Sequence, residues 1–270
     1  PQEVKDWRYL GGNMKGQLTL NIPLKKGSTS PMVIVNASVA DGQVENRERN
    51  LLITDVQAPV YFHLRNGLQM SRLSASTLGG EVTGKWITGS GKSTLTLDGE
   101  VPVESLRNWL GFDWLAPASG SLPLAMAIQV PWQGNSFALH ATSSLKGVIV
   151  DAPVPLGKTA SQSRNLALDL THNGQHLALQ YGDTVRGAFA LNETVRGGVR
   201  LGVGTPHIPA SGIDVQGRLA RASAQAWIDF VSNELLPAMD SNASGGGGNG
   251  AQQGGLNKVN VQVATLDLFG

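Results

Sequence analysis

The chain has 270 residues, enough for one large β unit or two smaller ones. Charged residues make up 15% of it, against about 25% in an average domain, while apolar types reach 41% and glycine contributes 34 residues. A net charge of +1 with no basic cluster argues against a nucleic-acid surface, and the lack of cysteine excludes disulfides, thiolate metal sites and cysteine nucleophiles.

The first predicted strand is Lys15 to Pro23, where Leu18, Leu20 and Ile22 share one phase. Asp41-Gly42 signals a turn, and the sign-mixed run Glu45, Arg47, Glu48, Arg49 reads as a solvated one. Asn66-Gly67, Gly79-Gly80 and Gly197-Gly198 mark further turns. Gly89-Ser90-Gly91-Lys92-Ser93-Thr94 imitates the end of a phosphate-binding loop. The full motif needs a glycine where Trp86 stands and a helix afterwards, and a strand with Leu95 and Leu97 follows instead.

Val103 to Leu115 has helical spacing, with Leu106, Trp109 and Leu110 apolar and Pro102 near its first turn. The cleanest strand is Leu122 to Val130, where Leu122, Leu124, Met126, Ile128 and Val130 alternate with small or polar residues. Asn165 to Thr171 repeats the pattern with Leu166, Leu168 and Leu170, and Gln175 to Tyr181 with Leu177, Leu179 and Tyr181. Asn173-Gly174 between them predicts a hairpin. Val199, Leu201 and Val203 follow, then Ile213 and Val215.

Arg221 to Met239 is the longer predicted helix, with Ala222, Ala226, Trp227, Phe230 and Val231 on one face and Pro237 ending or kinking it. Its approach, Gly217-x-Leu219 to Trp227-Ile228-x-Phe230, matches Gly99-x-Val101 to Trp109-Leu110-x-Phe112, which reads as an internal repeat of a β unit closed by a helix. Asn242 to Gly255 is glycine-rich and predicts a floppy connector. Val259, Val261 and Val263 begin a last strand.

These stretches hold little chemistry. His172 and His176 flank a turn rather than share a helix face, and neither Glu nor a third His completes a zinc site. No Gly-x-Ser-x-Gly elbow occurs. Asp98, Asp169, Asp214 and Asp267 sit in polar strand phases without a partner that would make an acid–base pair. Trp109 and Trp227 read as plugs. The expectation is a protein that is no enzyme, with no catalytic residue, no metal and no cofactor. No run of about eighteen apolar residues predicts a membrane helix, and no signal peptide is visible. Opening on Pro1-Gln2-Glu3 and closing on a strand-like Val261 to Gly270, the chain reads as an excerpt of a longer protein.

What remains is the oily face of the strands. Alternation places each strand's apolar residues on one side of the sheet. Such a face lines a closed core or an apolar groove, and two features favour the groove: predicted helices are few, and aliphatic residues outnumber aromatics, giving walls suited to acyl chains.

The stretch Ser143-Ser144-Leu145-Lys146-Gly147, followed by Pro153-Val154-Pro155-Leu156-Gly157-Lys158, resembles a motif of the AsmA-like family and of its large member in particular. Gly212 to Leu219 ahead of the Trp227 helix, and the closing Leu266-Asp267-Leu268-Phe269-Gly270, are similar to the same family. The resemblance implies a mostly β fold: an extended, twisted antiparallel β-groove, an open taco-like sheet, with two short amphipathic helices. It implies a continuous segment over residues 1–240 with a soft boundary near 115–120, a flexible loop at 241–256, and further strand at 257–270.

It also implies a periplasmic piece of an inner-membrane-anchored protein that carries phospholipid toward the outer membrane. The implied partners are phospholipid acyl chains, and the two membranes or their proteins through regions outside this chain; nucleic acid is not among them. The groove lining expected on this reading is Leu95, Leu97, Leu122, Leu124, Met126, Ile128, Val130, Leu166, Leu168, Leu170, Leu177, Leu179, Tyr181, Val199, Leu201, Ile213 and Val215. The main competing expectation is a structural or protein-binding all-β module with a closed core. An outer-membrane barrel would need aromatic girdles that the Trp and Tyr positions do not supply.

Overall fold

Period-two alternation over so much of the chain leaves it one way to satisfy its backbone, which is sideways pairing. The computed structural model describes residues 6–24, 30–133, 136–171, 174–235 and 255–268. It contains a 15-stranded sheet whose strands follow chain order from first to last, with one short strand off the path, and which does not close on itself. By contacts the chain divides into two compact units, residues 1–101 with 125–135, and residues 102–124 with 136–270.

The first unit is built from β1 (Trp7–Asn21), β2 (Met32–Asn46), β3 (Leu51–His63), β4 (Gly67–Thr77), β5 (Gly80–Gly89) and β6 (Lys92–Pro102). All successive pairs are antiparallel, and Asp41-Gly42, expected as a turn, is instead an irregularity inside β2 where the register with β3 shifts. The second half of β7 (Ala118–Pro131) belongs to it as well. Glu45 and Arg47 pair at 3.0 Å beside the β2–β3 turn. The Ser90-Gly91 step of the mock phosphate loop is the β5–β6 hairpin turn, with both residues at positive φ. The buried apolar residues of this unit are small: Ala58, Ala75 and Val101.

The second unit begins with α1 (Val103–Leu110), which ends on Gly111 in the left-handed region, its N–H donating to the Arg107 carbonyl. A 3-10 turn at Asp113–Leu115 leads into β7. There follow β8 (Ala138–Ser143), β9 (Val148–Val150), which pairs with the start of β7, and then β10 (Leu166–Thr171), β11 (His176–Tyr181), β12 (Val185–Leu191) and β13 (Val195–Leu201). The expected hairpin joins β10 to β11 in register Leu166↔Tyr181 to Thr171↔His176, although Asn173 itself lies outside the described residues.

The antiparallel expectation holds for the registers up to β13, whereas Gly197-Gly198, expected as a turn, lies inside β13 opposite Phe189 and Ala188. β14 (Ile213–Ser223) and β15 (Leu256–Asp267) then pair in parallel, β13 with β14 and β14 with β15. A parallel step requires a crossover. Residues 202–212 make the first one across the polar side of the sheet, where the His207 backbone sits on Gly198 and Arg196 donates to the Pro209 carbonyl. The second crossover begins with α2 (Ala224–Phe230) and a π turn at Val231–Leu235.

The longer predicted helix is therefore shorter than its periodicity suggested. β14 extends to Ser223, whose hydroxyl accepts from the Ala226 N–H and caps α2, so Ala222 belongs to the strand. Pro237 and most of the glycine-rich tract lie outside the described residues. Both copies of the Gly-x-apolar…Trp pattern run from a strand into a short helix, of eight residues in α1 and seven in α2.

The crossover gives a test. A Cβ at Gly198 would collide with the His207 carbonyl. Gly198→Ala is expected to lower the urea midpoint, with a cost of about 1–3 kcal/mol typical of overpacking, whereas Ala178→Ser, at an exposed position on the polar face of β11, should leave the midpoint within experimental scatter.

Candidate functional site

Cross-strand registers show what the strands of the second unit place side by side. One row across the sheet reads Leu139, Leu170, Leu177, Phe189, Gly197, Ile213. The next reads Ala141, Leu168, Leu179, Gly187, Val199, Val215, Val259. A third reads Ser143, Leu166, Tyr181, Val185, Leu201, Gly217, Val261. Directly paired residues share a face, so these rows form one apolar band across seven strands.

The opposite face carries Ala167, Gln180, Arg186, Arg200, Gln216 and Asn260 in one row. Its charged neighbours find local partners: His140 meets Asp169 at 2.6 Å, and buried Asp214 accepts from Asn257 at 2.8 Å. Among the described residues no group of three or more His, Asp or Glu could hold a metal ion. His172 lies outside the described residues.

Phe189 makes the band smoother than its size suggests. Its ring lies against Gly197, directly opposite, and Gly187, two residues before it; a Cβ on Gly187 would come within 2.6 Å of the ring. The glycines give the aromatic ring room to lie on the sheet.

One end of the band is covered. Leu122, Val103, Leu145 and Val148 form a buried cluster against which Leu106, Leu166 and Tyr181 pack. Val185, Leu201, Leu219 and Ala222 form a second, bordered by Leu156, Tyr181, Val199, Val215 and Trp227. Tyr181 joins both. The cover is α1, α2 and the segment 144–164, and polar side chains hold that segment together.

Lys158, 5% exposed, donates to the carbonyls of Leu145, Val148 and Thr159. Arg164 donates to the Pro155 and Leu156 carbonyls at 2.8 and 2.9 Å and lies 4.8 Å over the Tyr181 ring. The Tyr181 hydroxyl donates to Leu156 at 2.6 Å, and the Trp227 indole to Val154 at 3.2 Å. Burial pushes Lys158 below the ordinary lysine range, with the Arg164 charge adding to the shift. Burial raises the Tyr181 phenol, and Arg164 partly opposes it.

The expected lining residues thus fall in different surroundings. Leu122 and Leu201 are buried in the covered clusters, and Leu166 and Tyr181 pack against them. Leu168, Leu170, Leu177, Leu179, Val199, Ile213 and Val215 are half-buried on the same band, as is Leu124 on β7. Leu95, Leu97, Met126, Ile128 and Val130 belong to the first unit.

In the first unit Leu18, Val35, Phe62 and Leu68 form one row. Met70, Trp86 and Leu95 form another, and Leu97 lies opposite Gly84. Residues two apart on a strand share a face, so this too is one apolar face, and Leu18 on it is 60% exposed. Phe62, Met70, Trp86 and Phe189 are band residues that sequence reasoning missed. The alternation Gly84, Trp86, Thr88 was a signal for Trp86, while the glycines around Phe189 break the apolar count that would have marked it.

A family model described as YhdP protein matches residues 2–270. The chain belongs to the YhdP family. The resemblance carried by Ser143 to Lys158 is therefore borne out, and that motif is the segment covering one end of the second unit's band. No curated protein and no solved structure matches the chain. No helix among the described residues of this YhdP-family chain is long and apolar enough to cross a membrane.

The cover depends on its lysine. Lys158→Met should remove the ammonium that the Leu145, Val148 and Thr159 carbonyls share and lower unfolding free energy by about 1–3 kcal/mol, read from urea denaturation. Lys146→Met, on an exposed position of the same segment, should change little.

Proposed function

We propose that this YhdP-family segment carries phospholipid by its acyl chains along the apolar sheet face, as the periplasmic part of an inner-membrane-anchored protein that moves lipid toward the outer membrane, and that it performs no reaction. The observation that carries the reading is the uncovered part of the band. Leu168, Leu170, Leu177, Leu179 and Ile213 are aliphatic and half-buried on neighbouring rows, with a polar face behind them, while Val199 and Val215 border the covered cluster. Membership of the YhdP family supports a bridge-like lipid-transport role.

The energetics suit transport. Each methylene moved from water onto an apolar wall contributes about 0.8 kcal/mol, so a chain lying along the band is held by many small, similar contributions. Sliding by one row exchanges one aliphatic neighbour for another and breaks no directional bond. Leu95, Leu97, Met126, Ile128 and Val130 provide such a surface in the first unit, and Leu124 in the second. Leu122, Leu166, Tyr181 and Leu201 form the floor beneath the cover. Contacts with the two membranes, or with proteins in them, belong to regions outside this chain.

Mass spectrometry of an organic extract of the purified protein tests the reading. Phospholipid is expected with the wild type and should fall severalfold in Leu168→Asp, because burying a carboxylate against an acyl chain is costly. Ala178→Asp, on the polar face, should retain it. A folded wild type free of lipid would favour the structural module with a closed core, the reading to which the two buried clusters lend support.

A further inference from the structure

The first unit contains an open, shallow cavity of about 310 Å3 at the end of its apolar face. Leu64 and Arg65 come from the β3–β4 turn, Leu68 from β4, Trp86 from β5, and Trp132 from just after β7. The registers place the cavity on the first unit's own apolar face, since Leu68 lies opposite Phe62, and Trp86 opposite both Met70 and Leu95.

Its walls are fixed by the chain. The Trp132 N–H donates to the Gly91 carbonyl at 2.8 Å, tying it to the β5–β6 turn. The Trp86 indole donates to Thr88 Oγ1 at 3.0 Å, and Thr88 and Ser93 share a hydrogen bond at 3.1 Å. Gly67 has φ 76°, and a Cβ there would strike the Thr88 side chain, so glycine allows these groups to approach.

Charge selects the ligand. Arg65 is the charged residue of the lining, no carboxylate lines the cavity, and among the described residues no carboxylate pairs with Arg65. A guanidinium without a counter-charge, two indoles, Leu64 and Leu68, with the Thr88 and Ser93 hydroxyls between them, fit a molecule that is anionic at one end and oily at the other. A zwitterionic headgroup would bring an ammonium with no carboxylate to receive it.

We propose that this cavity binds the phosphodiester headgroup of an anionic phospholipid. Arg65 meets the phosphate, Trp86 and Trp132 flank the glycerol, and the acyl chains lie on Leu68, Met70 and Leu95. The proposal rests on the lipid-carrying reading above and names the class of lipid.

Quenching of tryptophan fluorescence by phospholipids with brominated acyl chains tests it on the full chain, with phosphatidylglycerol and phosphatidylcholine as the two probes. The wild type should bind phosphatidylglycerol about threefold more tightly, the scale of one solvent-accessible ion pair. Arg65→Gln should abolish the preference while still binding both lipids, and Trp132→Phe should lose part of the quench. Glycerol phosphate alone should not compete; effective competition would make this a free-phosphate site and overturn the proposal. A preference that survives in Arg65→Gln would overturn it too, while leaving lipid carriage standing. Failure of the wild type to bind either lipid would remove the lipid-carrying reading itself.

Discussion

A β-sheet satisfies its backbone through its neighbours, but strict alternation gathers its apolar side chains on one side, and that side needs a cover of its own. In most folds a second layer supplies it. Here the described helices are α1 and α2, of eight and seven residues, and the cover they form with segment 144–164 occupies one end of the second unit's band. The rest of that band, and the apolar face of the first unit, remain half-buried or exposed. At about 25 cal/mol per Å2 of apolar surface left wet, this is a costly arrangement unless something else occupies the face.

The cover is organised differently from an ordinary core. Its buried aliphatic clusters are held in place by a lysine, an arginine and a tyrosine that direct their donors at backbone carbonyls of one irregular segment. An irregular segment has carbonyls that no strand or helix satisfies, and long cationic side chains can reach several of them at once. Polar chemistry here does structural work, which is why the charged residues of this end, Lys158 and Arg164, make no acid–base pair.

Much of this was readable from residues alone, for reasons that differ by element. Leu166, Leu168 and Leu170 against Leu177, Leu179 and Tyr181 announced a hairpin and its inner face, because a two-residue period and an Asn-Gly turn together leave one register. The parallel pairing of β13 to β15 was not readable. Ile213 and Val215 alternate in the same way whichever direction their neighbour runs, and strand direction is set by the crossover through 202–212 rather than by the strand. The extent of α2 was misjudged because Arg221 and Ala222 satisfy a helical pattern and a strand pattern alike, and Ser223 as a cap decided between them. Phe189 was hidden because its neighbours across the sheet are glycines. The covered end was legible only as a family motif: nothing in Lys158 or Arg164 as single residues foretells which carbonyls they will reach.

The crossover through 202–212 has a practical consequence. Because it travels over the polar side of β12 to β14, the chain passes from one parallel strand to the next without laying polypeptide across the apolar band. Within it Val203 is 89% exposed and is followed by Gly204 at positive φ. An epitope or fluorophore inserted between these two residues would ride on the back of the sheet, reporting on the second unit while leaving its oily lane unobstructed.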